Sequence, residues 1–261
     1  MTATLIISTY NWPEALDLVL LSILEQKTYP LEVIIADDGS SKSTANLIES
    51  YKSSFPVSLK HVWHEDNGFR KTAILNKAIA LAEGNYIIQA DGDCILHRNF
   101  VKDHVSSAIP GLYLYGSRVN IKEQHLSYLF KKKQVHFKVF SKGIKKRTRA
   151  LHIGLLSKLY KPSTVFSKKY RGCNTSFYKS DFIAVNGYDE DIKGWGREDS
   201  ELALRFHNYG LKGKRLRYKG IVFHIFHKEK PKDRLELNNK IEEQTKRLER
   251  IKCKTGVTKY L

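Results

Sequence analysis

Cysteine is scarce: Cys94, Cys173 and Cys253 are the only three among 261 residues. Their spacing fits neither a disulfide framework nor a zinc site, which leaves a reducing compartment as the simplest setting. Proline is scarce too, at six residues, and no stretch is low in complexity or repeated at a fixed period, which excludes a disordered chain and a solenoid. Long apolar runs are missing. Leu18 to Leu24 falls far short of the roughly 20 residues that span a bilayer. The N-terminus, Met1-Thr-Ala-Thr-Leu-Ile-Ile-Ser8, lacks the basic start and apolar core of a signal peptide. The expectation is a cytoplasmic protein, soluble or peripheral on the inner face of the cell membrane. Acidic residues are outnumbered, 27 against 45 Lys+Arg, for a formal net charge of +18. Such a balance attracts nucleic acid, anionic lipid or phosphorylated substrates. Much of it is local, because residues 121–170 carry 14 Lys+Arg against the single acid Glu123.

What is present is a core-forming 41% of hydrophobic residues, enough for one large core or one core plus a subdomain. The first 120 residues alternate between two periods. Thr4–Ser8, Leu31–Ala36, Ser58–Trp63 and Tyr86–Ala90 are short β-prone runs. Pro13 opens a helical pattern, a polar helix covers Lys42 to Tyr51, and Lys71 to Ala82 is helical with Ile74, Leu75, Ala78, Ile79 and Ala82 on one face. Strands alternating with such helices imply an α/β fold with a mostly parallel, doubly wound sheet. Ligands in such sheets bind beyond the carboxyl ends of the strands. Asp37-Asp38-Gly39-Ser40 follows one strand and Asp91-Gly92-Asp93 another, so both acidic pairs are expected on one sheet edge. The basic stretch 121–170 reads as a helical insert, with Leu126, Leu129, Phe130, Phe137 and Phe140 interleaved among lysines. Ile221–Phe226 is a late strand, and Leu235 to Arg250 a charged helix within a basic C-terminal segment. The expected division is a catalytic domain over 1–227, insert included, and a basic helical tail over 228–261.

Three segments carry chemistry. Two carboxylates around a glycine at a strand end, as in Asp91-Gly92-Asp93, can hold a divalent cation that completes its shell with water and phosphate. On its own, such a triplet is more often a solvated turn. Asp37-Asp38-Gly39-Ser40 can accept hydrogen bonds from a nucleotide, or simply cap a helix. In Gly194-Trp195-Gly196-Arg197-Glu198-Asp199, the two acids open a helix whose dipole favours their charged form, which suits a general base. Trp195 between two glycines suggests a loop that closes over a substrate.

Read together, these residues resemble a known family. Leu5-Ile-Ile-Ser-Thr-Tyr-Asn11, Asp37-Asp38-Gly39-Ser40 and Asp91-Gly-Asp93 resemble the opening of family-2 glycosyltransferases of the GT-A fold. Asp66-Asn-Gly-Phe-Arg70 and Asn76 to Gly84 are similar to the matching segment of chondroitin- and hyaluronan-type polymerases. Gly172-Cys-Asn-Thr-Ser-Phe177, Asn186-Gly-Tyr-Asp-Glu190 and Gly194 to Asp199 resemble the C-terminal part of β-1,4-galactosyltransferases. The likeness runs in order from about residue 4 to 227.

The resemblance implies an inverting, metal-dependent transferase that moves a sugar from a nucleoside diphosphate, UDP above others, to a glycan or lipid-linked acceptor in bacterial cell-surface polysaccharide synthesis. Thr9, Asp37, Asp38, Arg70, Lys71, Asp91 and Gly92 would bind the nucleotide sugar. Asp93 and His224, with His227 as the alternative, would hold Mn²⁺ or Mg²⁺. Asp199 would be the catalytic base, Glu198 would orient the acceptor and Trp195 would stack on it. Where the galactosyltransferases have a further acid, this chain has Ser200, and it lacks their disulfides. Residues 121–170 would meet an anionic membrane surface. Two other classes compete. A sugar nucleotidyltransferase shares the strand–helix layout, but Ser8-Thr-Tyr-Asn-Trp-Pro13 lacks the Gly-rich loop expected there. A nucleic-acid-binding protein would fit the charge, but no module signature supports a specific nucleic-acid partner.

Overall fold

The computed structural model describes residues 1–228 and 231–261; Glu229 and Lys230, part of the expected tail, lie outside the described residues. The chain opens with β1 (Ala3–Thr9), an apolar run buried along its whole length, and α1 (Pro13–Leu24), whose proline sits in the first helical turn. There follow β2 (Glu32–Asp37), α2 (Lys42–Lys52), β3 (Ser58–Trp63), α3 (Lys71–Leu81) and β4 (Tyr86–Asp91). After these come β5 (Cys94–Leu96), α4 (Phe100–Val105), β6 (Leu112–Tyr115), β7 (Ser117–Ile121), α5 (Leu126–Lys132), β8 (Ile144–Lys145) and α6 (Gly154–Ser157). The last third holds β9 (Asn174–Tyr178), α7 (Lys179–Ala184), α8 (Glu198–Asn208), β10 (Lys212–Arg215), β11 (Ile221–His224) and α9 (Leu235–Arg247).

The main sheet has the order β10-β6-β9-β4-β1-β2-β3. β3, β2, β1 and β4 run parallel, as their crossover helices require. β9 enters antiparallel between β4 and β6, and β10 pairs parallel to β6. β6 and β10 therefore point the same way as β4, and six strand ends share one edge. The α/β expectation holds, with β9 as the reversed member. Both faces are covered, so the core divides into one cluster under α1 and α2 and another under α3, α7 and α8.

A smaller sheet, β5-β11-β7-β8, stands beside the same edge and carries a third cluster. This changes the reading of the basic stretch. It is helical only over Leu126–Lys132 and Gly154–Ser157, apart from single 3₁₀ turns, and much of it is irregular. Leu129 and Phe137 are buried in the third cluster with Leu126 and Phe130 packed against it, whereas Phe140 is 87% exposed. Interleaved apolar residues were expected to form a helix face; instead, non-local packing on β7 and β11 pulls them inward. The C-terminal segment packs on the body. Asn238 Nδ2 donates to the carbonyls of Lys193 and Gly196, both at 3.0 Å, and Thr245 Oγ1 donates to the buried Glu201 at 2.9 Å. Among the described residues, no helix is long and apolar enough to cross a membrane.

Candidate active site

The parallel registers put the acidic motifs side by side. Thr9 is level with Asp37 and Ser8 with Asp91, so β1 separates the two motifs by one strand on each side. Beyond these ends lies an open cleft of about 1920 Å³, lined by Thr9, Asp38, Lys71, Asp91, Gly92, Asp93, Trp195, Glu198, Asp199 and His227, among others.

Asp37 turns away from the cleft. It is fully buried, accepts from Ser40 N at 2.8 Å and meets His61 Nε2 at 2.9 Å. It holds the turn through Gly39, whose φ of +93° favours glycine and whose missing Cβ would lie 2.6 Å from the Asp66 backbone. Asp38 lines the cleft, held by His64 Nε2 at 2.7 Å and Arg70 N at 2.9 Å. Burial raises its pKa, against the pull of His64 and Arg70. Arg70 contributes that backbone N–H, but its guanidinium donates to the Glu65 carbonyl at 2.5 Å and borders a smaller neighbouring hollow. The side chain expected to meet the donor thus faces elsewhere.

Asp91 and Lys71 form a half-buried pair at 2.7 Å, and Ser8 Oγ donates to the same carboxylate oxygen at 2.7 Å. Burial opposes both charges, but Lys71 and Ser8 outweigh it and lower the Asp91 pKa, while Asp91 and Glu198 hold the Lys71 amine above its ordinary value. Gly92 lies against β1: its N–H donates to Ser8 O at 2.7 Å, and a Cβ would come within 2.9 Å of Thr9 Oγ1.

Asp93 is joined by both candidate histidines. Its Oδ2 lies 3.6 Å from His224 Nε2 and 3.4 Å from His227 Nε2. His224 closes β11 opposite Cys94, the residue after Asp93, and Ile225 N donates to the Asp93 carbonyl at 2.8 Å, which steers the chain back so that His227 arrives as well. His227 Nδ1 faces the Lys228 carbonyl at 2.7 Å. Nδ1 donates to that carbonyl, which aims Nε2 at Asp93. Burial lowers the pKa of His224, keeping it in the neutral form a metal needs. One carboxylate and two imidazoles thus converge as a donor set for a divalent ion.

Across the cleft, Glu198 and Asp199 open α8. The Asp199 Oδ2 accepts from Gly172 N at 2.9 Å and its Oδ1 from Ser200 N at 2.7 Å. Burial, then the charge of Asp199, pushes Glu198 up to about 7. Trp195 sits between Gly194 and Gly196, both at positive φ, with the Lys232 ammonium 5.6 Å from its ring centre. Sequence reasoning did not single out His61, His64, Ser8 or Arg118. The first three hold the acids in place, and Arg118 lines the cleft. Their types are common everywhere and no local motif marks them.

Residues 4–175 match the sequence model of glycosyl transferase family 2, and residues 156–228 match that of the N-terminal domain of galactosyltransferase. The chain is similar to a hyaluronan synthase from Pasteurella multocida, 28% identical over 224 residues, which cover 79% of this chain and 23% of that one. It thus spans under a quarter of that relative's length. In fold it is similar to a mannosyltransferase from Pyrobaculum calidifontis in complex with GDP-Man and Mn²⁺ (TM-score 0.59, 20% identity, 85% of this chain and 56% of that one). It is also similar in fold to S. aureus TarS in complex with UDP (TM-score 0.66, 14% identity, 100% of this chain and 68% of that one).

Proposed function

We propose, because the chain belongs to glycosyl transferase family 2, that it is a glycosyltransferase catalysing an inverting, metal-dependent transfer from a UDP-sugar to a glycan or lipid-linked acceptor of a bacterial cell-surface polysaccharide. The observation that carries this reading is the meeting, in one cleft, of Asp93 and His227, backed by His224, with the Glu198–Asp199 pair. Fold neighbours in complex with GDP-Man in one case and UDP in another support a nucleoside diphosphate leaving group. A sugar nucleotidyltransferase and a nucleic-acid-binding protein lose their footing with the family.

In this reading Asp38 and Thr9 hold the nucleotide, while Lys71 keeps Asp91 ionised beside the ribose. Asp93, His224 and His227 would hold a cation. Two imidazoles favour Mn²⁺ over Mg²⁺, which prefers an all-oxygen shell. A bound ion would neutralise charge on the departing diphosphate. Asp199, oriented by the Gly172 N–H, takes the proton of the acceptor hydroxyl as that oxygen attacks the anomeric carbon from the face opposite the diphosphate. Glu198 hydrogen-bonds the incoming hydroxyl, and Trp195 stacks on the acceptor sugar.

The test is Mn²⁺ and UDP titration followed by thermal shift, alongside transfer assays. Wild type should be stabilised by Mn²⁺ with UDP and inactive in chelator. His224→Ala and His227→Ala should each weaken Mn²⁺ by about 10–100-fold, the range for disturbing a metal's surroundings, and Asp93→Ala should abolish binding. A wild type fully active in chelator would refute the arrangement.

A further inference from the structure

The half of the sheet edge that the nucleotide does not use is crowded with cations. β10 ends in Arg215, the β6–β7 corner leads into Arg118, and Arg171 precedes β9; all three positions lie on the edge that carries Asp91. Arg149 is tied to the same place, its Nη1 donating to the Arg118 carbonyl at 3.1 Å. Lys146 precedes it, and Arg217 follows β10 with its guanidinium 4.5 Å from the Tyr218 ring centre. Among the described residues, none of these six has a carboxylate within salt-bridge distance. Against burial, Cys173, Cys94 and Asp93 hold Arg118 above its ordinary pKa, whereas Arg149 and Lys146 feel the other cations. Burial, then Arg215, Arg217, Arg118 and Arg171, hold Arg149 below its ordinary pKa, and burial with Arg149, Arg118 and Arg171 does the same to Lys146. One Arg217 nitrogen, Nη1, is buried with no hydrogen-bond partner. Repulsion among neighbouring cations raises the free energy of this surface, and a multivalent anion would relieve it.

The cluster is continuous with the cleft, since Arg118 and Arg171 line it together with Asp93 and Asp199. It extends from there toward β10, away from the Asp38 side where the nucleotide reading puts the base. We infer that this arginine cluster is the acceptor subsite, and that it takes a glycan acceptor bearing phosphate near the hydroxyl to be glycosylated. Guanidinium forks match phosphate oxygens in pairs, and aromatic stacking of Arg217 on Tyr218 leaves its edge N–H groups for that contact. The inference rests on the proposed transferase reading for the word acceptor, but the anion site itself does not.

Pyrophosphate is the probe, titrated into the protein in EDTA so that metal-assisted donor binding is switched off. Wild type should bind it, and Arg149→Gln/Arg217→Gln should lose at least about tenfold in affinity. Lys131→Gln/Lys132→Gln, which removes equal charge from the exposed part of the basic stretch, should change it less than twofold. Mn²⁺-dependent UDP binding should stay within twofold in the arginine variant, which also verifies its folding. A soluble phosphodiester-linked glycan should displace pyrophosphate, and the same glycan stripped of phosphate should not. Equal losses in the arginine and lysine variants would mean diffuse charge and overturn the site. Displacement by vesicles of anionic phospholipid but not by the soluble glycan would reassign the cluster to a lipid headgroup and overturn the acceptor role. Failure of UDP to bind wild type, with pyrophosphate still held by the arginines, would refute the donor reading and leave the anion site standing.

Discussion

At the scale of single residues, Glu198 and Asp199 are neighbours with opposite environments. Asp199 is held by two N–H groups; Glu198 is half-buried beside that charge and titrates near 7. The folded carboxyl is raised from its ordinary 4.5, so the native state binds the extra proton between those values and loses stability as pH rises through 7. In protein free of metal and donor, Glu198→Gln should therefore raise Tm at pH 8 and leave it nearly unchanged at pH 5. An equal shift at both pH values would show that Glu198 titrates normally. In turnover, wild-type kcat/KM should climb through pH 7, and Glu198→Gln should flatten that limb and raise the acceptor KM. Asp199→Asn should cost about 10²–10⁴ in kcat, the usual worth of a general base, with UDP affinity retained. The motif was legible at this scale, and the resemblance implied the two roles; the contact that orients Asp199 was not legible, because it comes from Gly172, 27 positions away.

At the scale of elements, the turn between β4 and β5 carries both Asp91 and Asp93 and is pressed on β1. Gly92→Ala would drive a methyl group against Thr9 Oγ1 and Ser8 O. Over-packing of this kind costs about 1–3 kcal/mol, a drop of a few degrees in Tm for a chain of this size. The larger effect should be on function: Mn²⁺ affinity falling about tenfold as Asp93 moves off the two histidines. Retained Mn²⁺ affinity in that variant would mean that the turn does not set the ligand. The strands and helices up to Asp91 were readable because each has its own period and its own stop signals. β9 was not readable as the reversed strand, since its partners β4 and β6 are remote and a five-residue segment, Asn174-Thr-Ser-Phe-Tyr178, carries no sign of direction. The basic stretch failed as a helix for the same reason: its order comes from β7, β11 and Phe223 rather than from its own pattern.

At the scale of the whole molecule, the C-terminal segment is joined to the catalytic body through a buried ion pair. Arg205 and Glu201 meet at 2.7 Å with no exposure. Arg205 also donates to the Val185 carbonyl, and Thr245 of α9 donates to Glu201. Removing one partner strands a buried charge, so Glu201→Gln should lose about 3–5 kcal/mol in urea unfolding. A loss under 1 kcal/mol would mean that the pair is dispensable and the segment held by other contacts. The amino-acid sequence by itself determined the alternation of strands and helices, the acids at strand ends and the family, because these are written in local periods and short motifs. Only the tertiary structure decided that Asp37 and Arg70 face away, that His224 and His227 both reach Asp93, and that six cations share the far half of the edge. Those facts depend on strand order and on side chains meeting across tens to more than a hundred residues, where no local pattern records which way a side chain will point.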